Sequence, residues 1–497
     1  MTLKNSAVEE LVEKKRNPKV AIVGAGMSGI LAAIKMQEAG ISDITIFEKG
    51  EDIGGTWRDN RYPGLSCDVP AHLYTYSFAP NPEYSHRYAR GAEIHAYFKR
   101  VAKEYGVYEK VRFSSKLDKS EYKDGKWSLW LASGEKEVYD IVICASGVLH
   151  HPQYPEIEGL DEFGGAKFHT ARWDESVELE GKKIAVIGNG STCVQMFPSL
   201  QKKASRISLF QRTPQWILPV FDKAYSAKEK ARLRKYPWIG KVLRWYYWLL
   251  LNMTFAKPVT GNKFLQRVIS WACNSHLEAK VKDPTLREAL RPTYQALCKR
   301  LIVANGFYEA IQEPNAELVT SGISRIEKNG IRTAGGDFFE ADVLILATGF
   351  KPHHFMRPME MVGLNGVTID EAWDKGAQAH RSIGIPGFPN FFMLVGPNSP
   401  IGNFSLITIA EHQMGYIMRL IDLWRSNEAD SIVPKKNASE KFNSEVKNAM
   451  GKTVWVSGCQ SWYIDKFGNP AMWPWSYERF RDEMKEPDLT EFDIRTS

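Results

Sequence analysis

No two cysteines in this chain form a CxxC pair, no stretch of about eighteen uncharged apolar residues occurs, and neither sign of charge dominates. The six cysteines, Cys67, Cys144, Cys193, Cys273, Cys298 and Cys459, stand singly. Their spacing gives little support to a zinc ribbon or a dithiol redox centre, and no metal site is indicated. Isolated thiols are expected to be free, as in a reducing, cytoplasmic setting. A net charge of +7 spread along 497 residues is not the clustered basic face of a nucleic-acid binder, so no nucleic-acid partner is expected. The first nineteen residues lack a long apolar run, which argues against a secretory signal and for a short amphipathic helix.

The most apolar run is "PWIGKVLRWYYWLLLNMTFAKP", residues 237–258, which Lys241 and Arg244 interrupt. No transmembrane span is therefore expected. The first reading is a buried helix of an α-helical subdomain. The alternative is an interfacial helix that takes lipophilic substrate from a membrane, giving weak peripheral membrane contact. Hydrophobic content of 43% and charged content of 25% are those of an ordinary globular chain, and the length implies two or three domains.

What the chain does have is the same turn twice. "KVAIVGAGMSGILAAIKMQEAG" runs from a short apolar strand through Gly24, Gly26, Ser28 and Gly29 into a helical pattern. In that context Gly24 permits the tight turn, Gly26 lets a pyrophosphate approach the backbone, and Gly29 lets helix and strand pack closely. The helix N-terminus then favours phosphate charge. "KKIAVIGNGSTCVQMFPSL" repeats the pattern with Gly188 and Gly190, and Cys193 stands at the third glycine position. Each turn is followed by a second strand. Glu48 on one and Arg212 on the other each lie twenty-four residues after the first glycine of their turn. A carboxylate there accepts hydrogen bonds from a ribose 2′-OH and repels a 2′-phosphate, whereas an Arg pairs with one. The first turn is thus expected to hold a nucleotide with a free ribose 2′-OH, such as FAD, and the second NADP(H). "DIVICASG" and "DVLILATGF" give two further apolar strands that mark crossings between the two sheets.

Two longer patterns narrow the class. "FGGAKFHTARWD" resembles the F-x-G-x-x-x-H-x-x-x-W-[PD] fingerprint of the type I Baeyer–Villiger monooxygenases, with Phe163, Gly165, His169, Trp173 and Asp174 in place. "GGTWRDNRYPGLSCD" resembles their second motif, with Gly55, Trp57, Tyr62, Pro63, Gly64 and Asp68. The resemblance continues through "ATGF", "GPNSPIGNFS" and the "SWY" containing Trp462, and covers nearly all of the chain after the polar N-terminus.

The resemblance implies an FAD- and NADPH-dependent monooxygenase. Such enzymes insert one oxygen atom of O2 next to a ketone carbonyl, through a C4a-peroxyflavin, to give an ester or lactone. It implies that Arg300 stabilises the peroxide and the oxyanion of the adduct, that Asp68 pairs with Arg300, and that Lys299 helps bind NADP phosphate. Trp57 and Tyr74 would line the flavin, with Thr56 beside them. Ser191, Thr192 and Gln195 would meet NADP phosphates, with Thr213 beside Arg212. Trp462 would sit on a loop closing over NADP, or else pack in the core. His169 is expected to couple the two domains by hydrogen bonds and not to donate a proton.

The expected fold class is α/β: two nested Rossmann-like dinucleotide-binding domains with a helical insertion. The FAD domain would comprise 18–150 and 385–497, the NADP domain 151–225 and 309–384, and the insertion 226–308. Pro237, Pro258 and Pro292 are expected to break the helical run. An N- or S-oxygenating flavin monooxygenase, for which a sulfide would be the substrate, is the nearest alternative. An NADPH-dependent disulfide or quinone reductase, or an FAD-binding module without activity, are more distant ones. The oligomeric state is not indicated by the sequence.

Overall fold

The computed structural model describes residues 15–402 and 404–496. The N-terminal helix expected from the sequence falls mainly on residues 1–14, outside the described residues. The strand Val20–Val23 is the middle of a five-stranded parallel sheet, in the order Phe391–Met393, Ile141–Cys144, Val20–Val23, Ile44–Phe47, Val111–Arg112. Its strands read VAIV, ITIF and IVIC because both faces of a parallel sheet are covered. The helix Met27–Glu38 lies between this sheet and the helix Leu406–Arg425, and is buried from Ser28 through Ile34. A second sheet of the same unit joins Leu117–Lys123, Lys126–Leu131 and Lys136–Tyr139.

After Ile141–Cys144 the chain leaves this unit and builds another parallel sheet, ordered Ala316–Val319, Arg206–Phe210, Lys183–Ile187, Val343–Leu346, Ala166–His169. The two nested α/β units expected from the glycine turns are therefore present. The return to the first unit comes earlier than the sequence suggests. Glu360–Val362 pairs in parallel with Lys119–Glu121, so residues 360–384 belong with the first unit and not the second. A three-residue strand is too short to show alternation.

The insertion contains the helices Ala227–Lys235, Pro237–Leu251, Lys263–Lys280 and Pro284–Ala289, and is closed at its base by Ile217–Leu218 against Ile302–Val303. Two expectations about it are corrected. Pro258 does not end the helix that begins at Pro237. Residues Asn252–Ala256 take the wider π register, and Lys257–Val259 continues as α-helix. The π turn absorbs the hydrogen bond that Pro258 cannot donate. Nor is Pro237–Leu251 a buried helix. Only Tyr247 and Leu251 are buried along it, while Trp238 and Trp245 are about 60% and 62% exposed. No helix among the described residues is long and apolar enough to cross a membrane.

The cysteine expectation also fails at one place. Cys298 and Cys459 form a disulfide across a separation of 161 residues, while Cys67, Cys144, Cys193 and Cys273 are free and buried. The inference of a reducing compartment loses its basis, because two of the thiols are paired. Closing a loop of that length is worth roughly 5 kcal/mol in the chain-entropy account. Thiol titration of the denatured protein is expected to give the four free thiols without reductant and all six with it. Six thiols before reduction would show that the bond does not form.

Candidate functional site

A cavity of about 530 Å³ runs between the two units. It is lined by every residue named above as a cofactor or catalytic contact except Gly29, Gly188, Arg212, Thr213 and Lys299. The two glycines lie behind their turns. A Cβ on Gly29 would stand 1.9 Å from the Gly24 carbonyl oxygen, and one on Gly188 2.5 Å from the Ala347 carbonyl oxygen. Gly24 and Gly188 both take φ +101°, a backbone conformation that L side chains seldom adopt.

At the first turn the backbones of Gly26 and Gly55 pack directly on each other at the cavity wall, where a Cβ on Gly55 would come within 3.1 Å of the Gly26 Cα, so this part of the wall is a slot without side chains. That bare slot suits a pyrophosphate. Glu48 is buried there. Its Oε2 accepts the Ala25 N–H at 2.9 Å, and its Oε1 accepts the Gly50 N–H and the Arg58 guanidinium, each at 2.8 Å. Three of the carboxylate's four acceptor positions are filled, leaving one on Oε2 for a ribose hydroxyl. Arg58, which sequence reasoning passed over, thus fixes the acid. Ser28 and Thr56 border the slot. Trp57 and Tyr74 form its wall, with the indole Nε1–H donating to the Tyr74 hydroxyl at 3.0 Å.

At the second turn Gly190 precedes the helix Ser191–Gln201, and a Cβ on Gly190 would meet open space. Ser191 and Thr192 face the cavity. Gln195 faces it too, but its amide is engaged with the first unit: Oε1 accepts from the Tyr62 hydroxyl at 3.1 Å, and Nε2 donates to the Ser66 carbonyl at 3.1 Å. Gly64 packs on the same helix, where a Cβ would come 2.4 Å from the Gln195 carbonyl oxygen. The "YPG" of the second motif is therefore a docking surface between the units.

Arg212, Thr213 and Lys299 lie outside the cavity. Arg212 is exposed and has no hydrogen bond or ion pair among the described residues. Lys299 lies over the Tyr294 ring at 4.8 Å, and its pKa is lowered by burial and then by the Arg212 guanidinium. Two neighbouring cations without an acid form a donor set suited to a phosphate dianion. The Thr213 carbonyl anchors this corner by accepting from Asn189 at 2.8 Å.

Arg300 closes the cavity. Its Nη2 donates to Asp68 Oδ2 at 2.6 Å. The Asp68 charge and hydrogen bonding raise its already high pKa against the cost of burial, so it is cationic at every working pH. Tyr463 is the second residue the sequence did not single out. It follows Trp462, is hydrogen-bonded to Arg300, and has its pKa pushed up to about 12 by burial. The Cys298–Cys459 disulfide joins the same two segments a few residues away, so Arg300 is held between two cross-links.

His169 sits where the chain crosses between the units. The crossings run side by side, bridged at Pro152 and Phe350. Nδ1 of His169 accepts the Ala171 N–H at 3.1 Å, and its ring contacts Tyr154 and Phe350 at centroid distances of 5.5 and 6.0 Å. Burial lowers its pKa to about 4, so at neutral pH it is an uncharged ring packed between the linkers.

The family model for flavin-binding monooxygenase-like proteins matches residues 17–359. An uncharacterised monooxygenase of Mycobacterium tuberculosis is 45% identical over 97% of both chains. A Baeyer–Villiger monooxygenase of Streptomyces coelicolor is 36% identical over 96% of this chain and 92% of its own. Among solved structures, that of OTEMO in complex with FAD and NADP superposes with a TM-score of 0.87 at 26% identity, covering 97% of this chain and 100% of that one.

Proposed function

Because the chain belongs to the flavin-binding monooxygenase-like family, we propose that it is an NADPH-dependent Baeyer–Villiger monooxygenase that converts a ketone and O2 to an ester or lactone. The observation that carries this reading is the Arg300 guanidinium, fixed by Asp68 and Tyr463 on the wall of the cavity that both glycine turns border. FAD, when bound at the first turn, supplies the hydride acceptor for NADPH and the activation of O2.

The residues of this chain do the rest. The Gly26–Gly55 slot and the open position on Glu48 hold the nucleotide with a free ribose. Ser191 and Thr192 take the pyrophosphate of NADPH, and Arg212 with Lys299 takes its 2′-phosphate. Trp57 and Tyr74 keep water from the reacting face. Arg300 stabilises negative charge on oxygen at the ketone carbonyl, with a fixed positive charge that needs no reorganisation. Gln195 and Gly64 keep the two nucleotide sites in register, and His169 keeps the crossing linkers together without titrating near neutral pH.

Gas chromatography of products from purified enzyme, NADPH and an equimolar ketone and thioether tests this reading. The ester is expected to exceed the sulfoxide. Sulfoxide alone would assign the chain to S-oxygenation.

A further inference from the structure

The helical insertion carries an aromatic face and a charge imbalance that neither nucleotide site uses. From residue 230 to residue 277 the sequence holds nine Lys and Arg and no Asp or Glu. Trp238, Trp245, Tyr246 and Met253 project from the helix beginning at Pro237 and its π turn, and Phe264 and Trp271 from Lys263–Lys280. Spacings of 238, 245 and 253, and of 264 and 271, place each set on one helical face. Trp271 is 69% exposed and Phe264 72%. Monomeric proteins seldom leave contiguous apolar surface of this kind uncovered. Lys241, Lys257, Lys263 and Arg267 are exposed beside these rings and have no ion-pair partner among the described residues.

We infer that this face binds the surface of an anionic phospholipid bilayer, with the indoles at headgroup depth and the unpaired cations on lipid phosphates. Aromatic side chains combined with lysines and arginines suit that environment and are ill suited to an ordinary protein groove. The same segment joins the face to the reaction cavity. Leu251 and Phe255 line the cavity, while Leu249 and Met253, on intervening positions, are exposed. A helix wet by lipid on one side thus forms cavity wall on the other. The substrate class that follows is a ketone lipophilic enough to be dissolved in the bilayer, and this part rests on the ketone reading above.

The test is flotation of the full-length flavoprotein with vesicles of phosphatidylcholine alone or with about 30 mol% phosphatidylglycerol. Binding to the anionic vesicles is expected at least about tenfold over neutral ones, falling about fivefold for each of Lys241→Ala and Arg267→Ala and falling further with added salt. The triple variant W238S/W245S/W271S is expected to lose flotation and turnover of a bilayer-dissolved long-chain ketone. Its flavin content and its turnover of a water-soluble ketone are expected to stay at wild-type levels. Equal flotation with both vesicle types, or none with either, overturns the proposal. So does a dimer in sedimentation velocity that the triple substitution dissociates while flotation is unchanged, since the face would then serve a second copy. Flotation reads no chemistry, so its failure and the failure of the ketone reading are separable.

Discussion

Arg300→Ala is expected to reduce its flavin with NADPH at near the wild-type rate and yet to make ester about 10²- to 10³-fold more slowly, or not at all. The asymmetry follows from position. Arg300 borders the cavity where the ketone would react, whereas the turn glycines, Arg212 and Lys299, proposed above to bind NADPH, are not its partners. Removing a fixed charge from a water-poor site costs about 3–4 kcal/mol at the step where negative charge develops on oxygen. Arg300→Lys is expected to recover little, since an ammonium does not reproduce the planar fork that engages Asp68 and Tyr463 together. Asp68 is partly exposed to the cavity and is able to hydrate once unpaired, so the variant is expected to fold and retain flavin. Stopped-flow reduction followed by product analysis separates the two half-reactions. Undiminished ester yield would remove Arg300 from the chemistry.

Arg212→Ala is expected to raise the KM for NADPH by about 10- to 100-fold and leave that for NADH almost unchanged. Hydrogen bonds to charged groups are worth about 1.5–3 kcal/mol, and Arg212 has no other partner among the described residues. Lys299→Ala should act in the same direction more weakly, because Lys299 is a point charge without the planar fork of a guanidinium, and burial followed by the Arg212 charge lowers its pKa. Salt should narrow the difference between the coenzymes, as the pair is near the surface. An equal loss for NADPH and NADH would reject the phosphate role and leave Arg212 as a surface cation.

Local patterns carried most of the fold because nucleotide turns are local. Gly24, Gly26 and Gly29 are needed within one turn. The matched count of twenty-four is one residue off in space: the Gly24 N–H meets the Phe47 carbonyl and the Gly188 N–H the Phe210 carbonyl, so Gln211 stands where Glu48 does and Arg212 one residue beyond. Glu48 shows where that logic stops. Its acid was legible, but the donors that orient it were not: Gly50 comes just after the strand, and Arg58 is brought back by the short helix Thr56–Asp59, whose path the sequence does not specify. Gln195 was assigned to phosphate from its place on the helix, and its amide proves to be engaged across the unit interface.

The Cys298–Cys459 pair had no local signal, since a bond spanning 161 residues is a property of the tertiary fold. Tyr463 was hidden for a related reason, as its hydroxyl meets Arg300 only when the C-terminal segment folds back. The helix beginning at Pro237 misled differently. It has apolar residues around most of its circumference, so periodicity does not identify a buried side, and the solvent-facing side was found only by packing.

Turnover of the preferred ketone under 18O2 in unlabelled water, with mass analysis of the product, tests the central claim most directly. A fixed cation serving oxygen insertion beside the carbonyl predicts one labelled oxygen per ester molecule, with NADPH consumed in equal amount. NADPH consumption accompanied only by hydrogen peroxide, or an ester free of label, would contradict it.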